Sequence, residues 1–279
     1  MATARINLSS LDGGNGFRLD GEATGDQSGF SVSSAGDVNG DGFDDVIIGA
    51  PLANSNTNVS GSSYVVFGRA SGFDATINLF GLDGSNGFRL DGEATYDHSG
   101  RSVSSAGDVN GDGFDDVIVG APDANYFSGS SYVVFGKASG FDAVMNLSSL
   151  DGSNGFRLDG EATYDLSGSS VSSAGDVNGD GFDDVIIGAH GAPNSNYFGS
   201  SYVVFGRASG FNAVMDLSGL DGSNGFRLDG EAAFDSSGFS VSSAGDVNGD
   251  GFDDVIIGAL SAPNGHFFGS SYVVFGRAS

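Results

Sequence analysis

The chain contains no cysteine, which excludes disulfides and thiolate chemistry and leaves the redox compartment open. Basic residues are scarce, with 10 Lys and Arg against 36 Asp and Glu and a formal charge of -26. A field of that sign excludes nucleic acid and anionic membranes as partners and makes cations the natural ones. No apolar run approaches the roughly 20 residues of a membrane helix, so membrane insertion is not expected. Met1 to Leu11 carries one Arg and no apolar core of the signal-peptide kind. A mature or excised secreted fragment has such a start, and so does a cytosolic protein. Helical periodicity of useful length is missing as well.

Glycine is abundant, at 49 residues, and hydrophobic residues make up 39% of the chain, 23 of them Phe. Acidity and glycine alone would suggest disorder, but this apolar content is enough to build a core. The segment Gly-Asp-Val-Asn-Gly-Asp-Gly-Phe-Asp-Asp-Val-Ile recurs with its first Asp at Asp37, Asp108, Asp176 and Asp246, at spacings of 71, 68 and 70 residues. Repetition overrides the one or two domains that the length alone suggests, and the chain reads as four copies of one unit.

In the second copy, Arg101 to Ser105 alternates around Val103, Asp116 to Ala121 holds the run Val117-Ile118-Val119, and Ser131 to Phe135 reads Ser-Tyr-Val-Val-Phe. Gly155 to Asp159 is a fourth candidate strand. Four short strands per unit, separated by Gly-rich turns, predict an all-β fold of propeller blades packed face to face. The blades fall at about 30–92, 101–159, 169–229 and 239–279, with an N-terminal strand at Gly16 to Asp20. That strand repeats the fourth-strand motif, whereas the last copy stops at a third strand, so the N-terminal strand is expected to complete blade four and close a four-bladed ring. Two chains sharing an eight-bladed ring, a homodimer, is the alternative, and an excised piece of a larger ring is another.

Each loop between the first two strands places oxygen ligands at positions 1, 3, 5 and 9, a backbone carbonyl at 7 and Gly at 6, as a hard cation such as calcium requires. The predicted sets are Asp37, Asn39, Asp41, Phe43 and Asp45; Asp108, Asn110, Asp112, Phe114 and Asp116; Asp176, Asn178, Asp180, Phe182 and Asp184; and Asp246, Asn248, Asp250, Phe252 and Asp254. The expectation is one calcium per repeat, four in all, set against solvated Asp/Gly turns as the plainer reading. Position 12, where an EF-hand carries an acid, is Ile48, Val119, Ile187 or Ile257, which argues against that motif and puts the affinity at about 0.1–1 mM.

These residues, with Asp45 to Pro51 (Asp-Val-Ile-Ile-Gly-Ala-Pro) and Tyr64 to Gly68 (Tyr-Val-Val-Phe-Gly), follow the order of the FG-GAP repeat family, best known from the integrin alpha-subunit propeller, and the chain resembles that family in all four copies. The family's Phe-Gly stands here as Ser28-Gly29, Ser99-Gly100, Ser167-Gly168 and Ser237-Gly238, and Gly-Ala-Pro becomes Gly188-Ala189-His190 and Gly258-Ala259-Leu260 in the last two copies. The family usually has seven blades, so the count departs too. The resemblance implies the calcium ligands named above, a cell-surface or extracellular setting, and partners that dock on the face opposite the metal loops.

On that opposite face the connectors differ most among the copies, at Leu52 to Ser60, Asp123 to Ser128, His190 to Phe198 and Leu260 to Phe268. They display Tyr126, Phe127, Tyr197, Phe198, Phe267 and Phe268, rings that either meet a protein or glycan ligand or pack down as loop plugs. Catalysis is not expected. The tempting Asp97-His98-Ser99 is Asp26-Gln27-Ser28, Asp165-Leu166-Ser167 and Asp235-Ser236-Ser237 in the other copies, His190 and His266 stand alone, and Asp44 beside Asp45 reads as a solvated carboxylate. The function classes left are an adhesion or protein-interaction module, a glycan-binding lectin, and a structural or engineered scaffold.

Overall fold

The computed structural model describes residues 6–55, 58–70, 72–193, 197–263 and 268–278. It is an all-β propeller of four blades. Blade one consists of Ser31–Gly36, Asp45–Ala50, Ser62–Val66 and Gly87–Asp91, antiparallel in that order. Blade two repeats it with Ser102–Gly107, Asp116–Ala121, Ser130–Val134 and Gly155–Asp159, and blade three with Ser170–Gly175, Asp184–Ala189, Ser200–Val204 and Gly225–Asp229. Blade four has three strands, Ser237–Gly245, Asp254–Ala259 and Ser270–Val274.

The second strand of each blade is a short β-branched run with neighbours on both faces, so it is apolar without alternation. Ile118 faces blade three, whereas Val117 and Val119 face blade one. The core is therefore not inside a blade but between blades, where Val65 and Phe88 of blade one meet Val117 and Tyr132 of blade two. At the other junctions, Val133 and Phe156 meet Val185 and Tyr202, and Ile186 and Val203 meet Val255 and Ile257.

A feature without a strong sequence signal ties the blades together. In the long connector before each outer strand, three residues run parallel to the outer strand of the preceding blade: Val144–Asn146 on Gly87–Asp91, and Val214–Asp216 on Gly155–Asp159. A 3-10 turn follows each of these straps, capped by Asn78, Asn146 or Asp216 through its side-chain oxygen.

The expected closure by the N-terminal strand is not what the fold contains. Arg18–Asp20 pairs in parallel with Thr76–Asn78, and Ser270–Val274 forms the outer edge of a three-stranded sheet. The row of blades is open. Val32, on the inner strand of blade one, is 66% exposed, whereas its counterparts Val103, Val171 and Val241 are 4%, 5% and 6% exposed. A four-bladed ring would bury Val32 like the others.

Candidate functional site

The Asp-rich loops follow a β-bulge at the end of each inner strand, where Gly36 takes a positive φ and the register of Ser34 to Gly36 shifts by one residue. The chain then winds around its own acids. In the first copy the Asp41 N–H donates to Asp37 Oδ1 (3.0 Å) and to Asn39 Oδ1 (2.9 Å), the Gly42 N–H to Asp37 Oδ2 (2.8 Å), and the Phe43 N–H to Asp41 Oδ1 (3.0 Å). The same pattern recurs through Asp108, Asn110 and Asp112, through Asp176, Asn178 and Asp180, and through Asp246, Asn248 and Asp250.

The acid at position nine lies beneath the loop. Asp45 is buried and accepts the Val38 N–H (3.0 Å) and the Gly68 N–H (2.7 Å), one at each oxygen. Asp116 accepts from Val109 and Gly136, Asp184 from Val177 and Gly206, and Asp254 from Val247 and Gly276. Burial, reinforced by the charges of the two loop aspartates, pushes the Asp45 carboxyl up to about 7 and those of Asp116 and Asp184 to about 8, against the opposing pull of the backbone donors. Among the described residues, no three acidic or histidine side chains converge as a metal centre. The donor set nonetheless fits a hard divalent cation, since it is all oxygen, holds no basic residue, and places like charges close enough to penalise one another.

Two neighbours of the loops have roles that the sequence concealed. The counterparts of Asp44 are clasps between blades: the Asp37 N–H donates to Asp115 Oδ2 (2.7 Å), that of Asp108 to Asp183 (2.8 Å) and that of Asp176 to Asp253 (3.0 Å). Asp44 itself is exposed, as expected. The Phe at position seven packs on a loop glycine of the preceding blade, and a Cβ on Gly40 would lie 2.3 Å from Phe114 Cε1.

On the opposite face the variable connector of one blade is hydrogen-bonded to the connector that enters the next. The Ser99 N–H donates to the Ser60 carbonyl (2.9 Å), the Leu166 N–H to that of Phe127 (3.0 Å), and the Ser236 N–H to that of Tyr197 (2.8 Å). Of the predicted rings, Tyr126 is 86% exposed, Phe127, Tyr197 and Phe268 are exposed, Phe198 is half-buried, and Phe267 lies outside the described residues. Phe127 does not pack into its own loop but stacks on Tyr164 at 5.7 Å.

Tyr164 belongs to a second row of rings. Tyr96, Tyr164 and Phe234 are all exposed and all in the left-handed region, with φ of 68°, 71° and 69°, where copy one has Gly25 at 98°. Tyr126 and Tyr197 share that conformation, at 59° and 54°. A large side chain with positive φ is uncommon, and backbone strain of this kind gathers at ligand-binding positions. Aligning the copies on Gly25 is the signal that would have found this row. His98 engages Asp123 rather than its neighbour, with Nδ1 2.5 Å from Oδ2, and the buried Ser99 hydroxyl has no hydrogen-bond partner among the described residues. His266 lies outside the described residues.

The FG-GAP repeat model matches residues 28–66, 99–134, 167–204 and 237–274, one match per blade and more than half the chain. Among curated proteins the chain is similar to integrin alpha pat-2 of Caenorhabditis elegans, 29% identical over 86% of this chain and 18% of that protein. It is likewise similar to chicken integrin alpha-V, 30% identical over 83% of the chain and 20% of the relative, and to Drosophila integrin alpha-PS5, 34% identical over 62% and 16%. The chain thus spans about a fifth of the length of these relatives.

Proposed function

Because the chain belongs to the FG-GAP repeat family, we propose that it is a non-catalytic adhesion or protein-interaction module that works outside the cell or at its surface. Its partners dock on the variable face. The observation that carries this reading is the double row of exposed rings there, in particular Tyr96, Tyr126, Tyr164, Tyr197 and Phe234, held in the left-handed backbone region by connectors that bond one blade to the next. Rigid exposed aromatics give contact area at low entropic cost. Glycan rings are the second reading, because aromatic faces also stack on sugars; nucleic acid is disfavoured by a charge of -26. Cell attachment to the immobilised chain, run beside a glycan array, tests both. Attachment that Tyr126→Ala and Tyr164→Ala abolish, with a blank array, supports protein recognition. No attachment and a blank array sink both readings and leave the scaffold reading.

Each Asp-rich loop, in the same proposal, holds one calcium ion. Asp37, Asn39 and Asp41 and their counterparts would supply side-chain oxygens, Phe43 and its counterparts a carbonyl, and Asp45 and its counterparts the ligand from below. A bound divalent cation supplies charge neutralisation, with no part in chemistry. The support is the fourfold recurrence of an all-oxygen set, together with the upward shift that burial, and then the loop aspartates, impose on the Asp45, Asp116 and Asp184 carboxyls. Calorimetric titration with calcium chloride gives a stoichiometry near four; heat that matches dilution alone rejects the sites.

A further inference from the structure

Among the described residues blade three lacks a strap, blade four lacks both an outer strand and a strap, and the first copy carries two strands that belong to no blade. Blade four has three strands, while Arg18–Asp20 and Thr76–Asn78 form a two-stranded sheet of their own. In blades one and two the order is three antiparallel strands, an outer strand and a parallel strap, five in all. Arg18–Asp20 has the outer-strand sequence and Thr76–Asn78 the strap position, so the two fragments add up to one complete blade. We propose that two copies of this chain close head to tail into an eight-bladed ring, each supplying these two strands to blade four of the other. The proposal rests on packing between blades and does not rest on the reading of the Asp-rich loops as calcium sites.

The groups left over at the two ends match as the three internal junctions do. Phe114, Phe182 and Phe252 each sit on a glycine of the preceding blade (Gly40, Gly111 and Gly179), but Gly249 has open space around it and Phe43 is exposed. Gly36, Gly107 and Gly175 are covered by the clasping aspartates, and Gly245 by nothing. The stacked pairs Phe88–Phe141 and Phe156–Phe211 each receive a third ring, from Phe67 and Phe135. The pair Phe17–Phe73, stacked at 4.6 Å, has no such ring among the described contacts, and the missing one, Phe275, is 56% exposed on blade four.

Polar groups follow the same pairing. The N–H groups of Val103, Val171 and Val241 donate to Ser31, Ser102 and Ser170 of the blade before, which assigns Ser240 to the N–H of Val32 in a second copy. Glu22 pairs with Arg89, Glu93 with Arg157 and Glu161 with Arg227, each glutamate reaching the arginine of the following outer strand. Glu231 has no arginine among the described residues, and Arg18, the one outer-strand arginine without a glutamate there, pairs only with Asp20. Because every blade is nearly the same sequence, the contact is heterologous, and it makes a ring if the rotation closes and a filament if it does not. Propellers close at about four to eight blades. Two copies of these four blades give eight, within that range, and three copies would exceed it.

Sedimentation of the full chain in calcium-containing buffer, at on the order of 10 μM, gives twice the chain mass if the ring forms. Val32→Arg, a change at an exposed position of the single copy, returns the mass to one chain with an unchanged circular dichroism spectrum. Arg18→Glu and Glu231→Arg each weaken association by at least about tenfold, and both together in one chain restore it. A wild type of single-chain mass, which would include closure onto itself, overturns the proposal. So does a mass beyond two chains, or a dimer indifferent to Val32→Arg.

Discussion

The two faces of this array obey opposite rules. On the Asp-rich face the four copies are nearly identical in sequence, the carboxylates at positions one, five and nine of each loop accept backbone N–H groups, and the bulge glycine and first loop glycine of each copy, such as Gly36 and Gly40, meet a side chain of the next blade wherever one follows. On the other face the connectors differ in length and content, and bulky rings occupy a backbone region that favours glycine. Repetition marks the residues that hold blades together. Strain and variety mark residues whose backbone bonds one blade to the next while their side chains reach solvent, and that leaves those side chains for recognition.

Calcium removal should separate the faces most strongly. At ten times the dissociation constant each site adds roughly 1.4 kcal/mol, about 6 kcal/mol for four independent sites, and this corresponds to a melting temperature lower by about 10–20 °C in EDTA. Differential scanning calorimetry with EDTA, then with calcium restored, checks it; an unchanged transition would erase the special status of the Asp-rich face. Next in size is Gly111→Ala. Its φ of 71° and the approach of Phe182 Cε1 to 2.3 Å of the added Cβ make it cost about 2–3 kcal/mol in urea unfolding. Gly113→Ala, at φ 89° with nothing within 4 Å, costs only the backbone share, about 1 kcal/mol.

Across the molecule the sign reverses. Tyr96→Gly, which copies Gly25, should stabilise the chain by up to about 1 kcal/mol by relieving the left-handed backbone, and weaken attachment in the assay above. A loss of stability there would show that these rings are packing elements after all. The smallest effect is expected at His190, whose pKa is lowered by burial and then by Arg101. Its neutral form is favoured by folding, so the associated stability is full above its unfolded pKa of about 6.5 and is lost as pH falls below it. His190→Leu, the residue that copy four carries as Leu260, should shrink the melting-temperature drop between pH 7 and pH 5 by a few degrees at most.

Strands buried on both faces were legible because burial leaves one composition: Asp116–Ala121 and Gly155–Asp159 lie where the run and the motif put them. The inner strand is Ser102–Gly107, one residue later at its start and two at its end than the alternation around Val103 suggested, because the bulge at Gly107 lengthens it. The straps escaped because three residues carry no period, and their partner lies more than 50 residues back in sequence. For Arg18–Asp20, the repeat phase says that the strand lacks a blade but not which end, or which chain, provides one. In the candidate site the self-bonded loop of Asp37, Asn39 and Asp41 over Asp45 was readable from spacing, since its members lie within nine consecutive residues. The interblade role of Asp115 and its counterparts was not, because their partners sit 75 to 78 residues away.

The straps also set a schedule for synthesis. Blade one's outer strand, Gly87–Asp91, receives its last neighbour only when Val144–Asn146 has been made, and Gly155–Asp159 waits in the same way for Val214–Asp216. A ribosome delivering this chain therefore always has one unfinished edge in the emerging protein, about 50 to 60 residues behind the newest segment. An unpaired edge is the usual site of mispairing between nascent chains. With near-identical repeats on neighbouring ribosomes, the wrong strap would fit almost as well as the right one, so the rate of elongation across each connector bears directly on the yield of correctly threaded molecules.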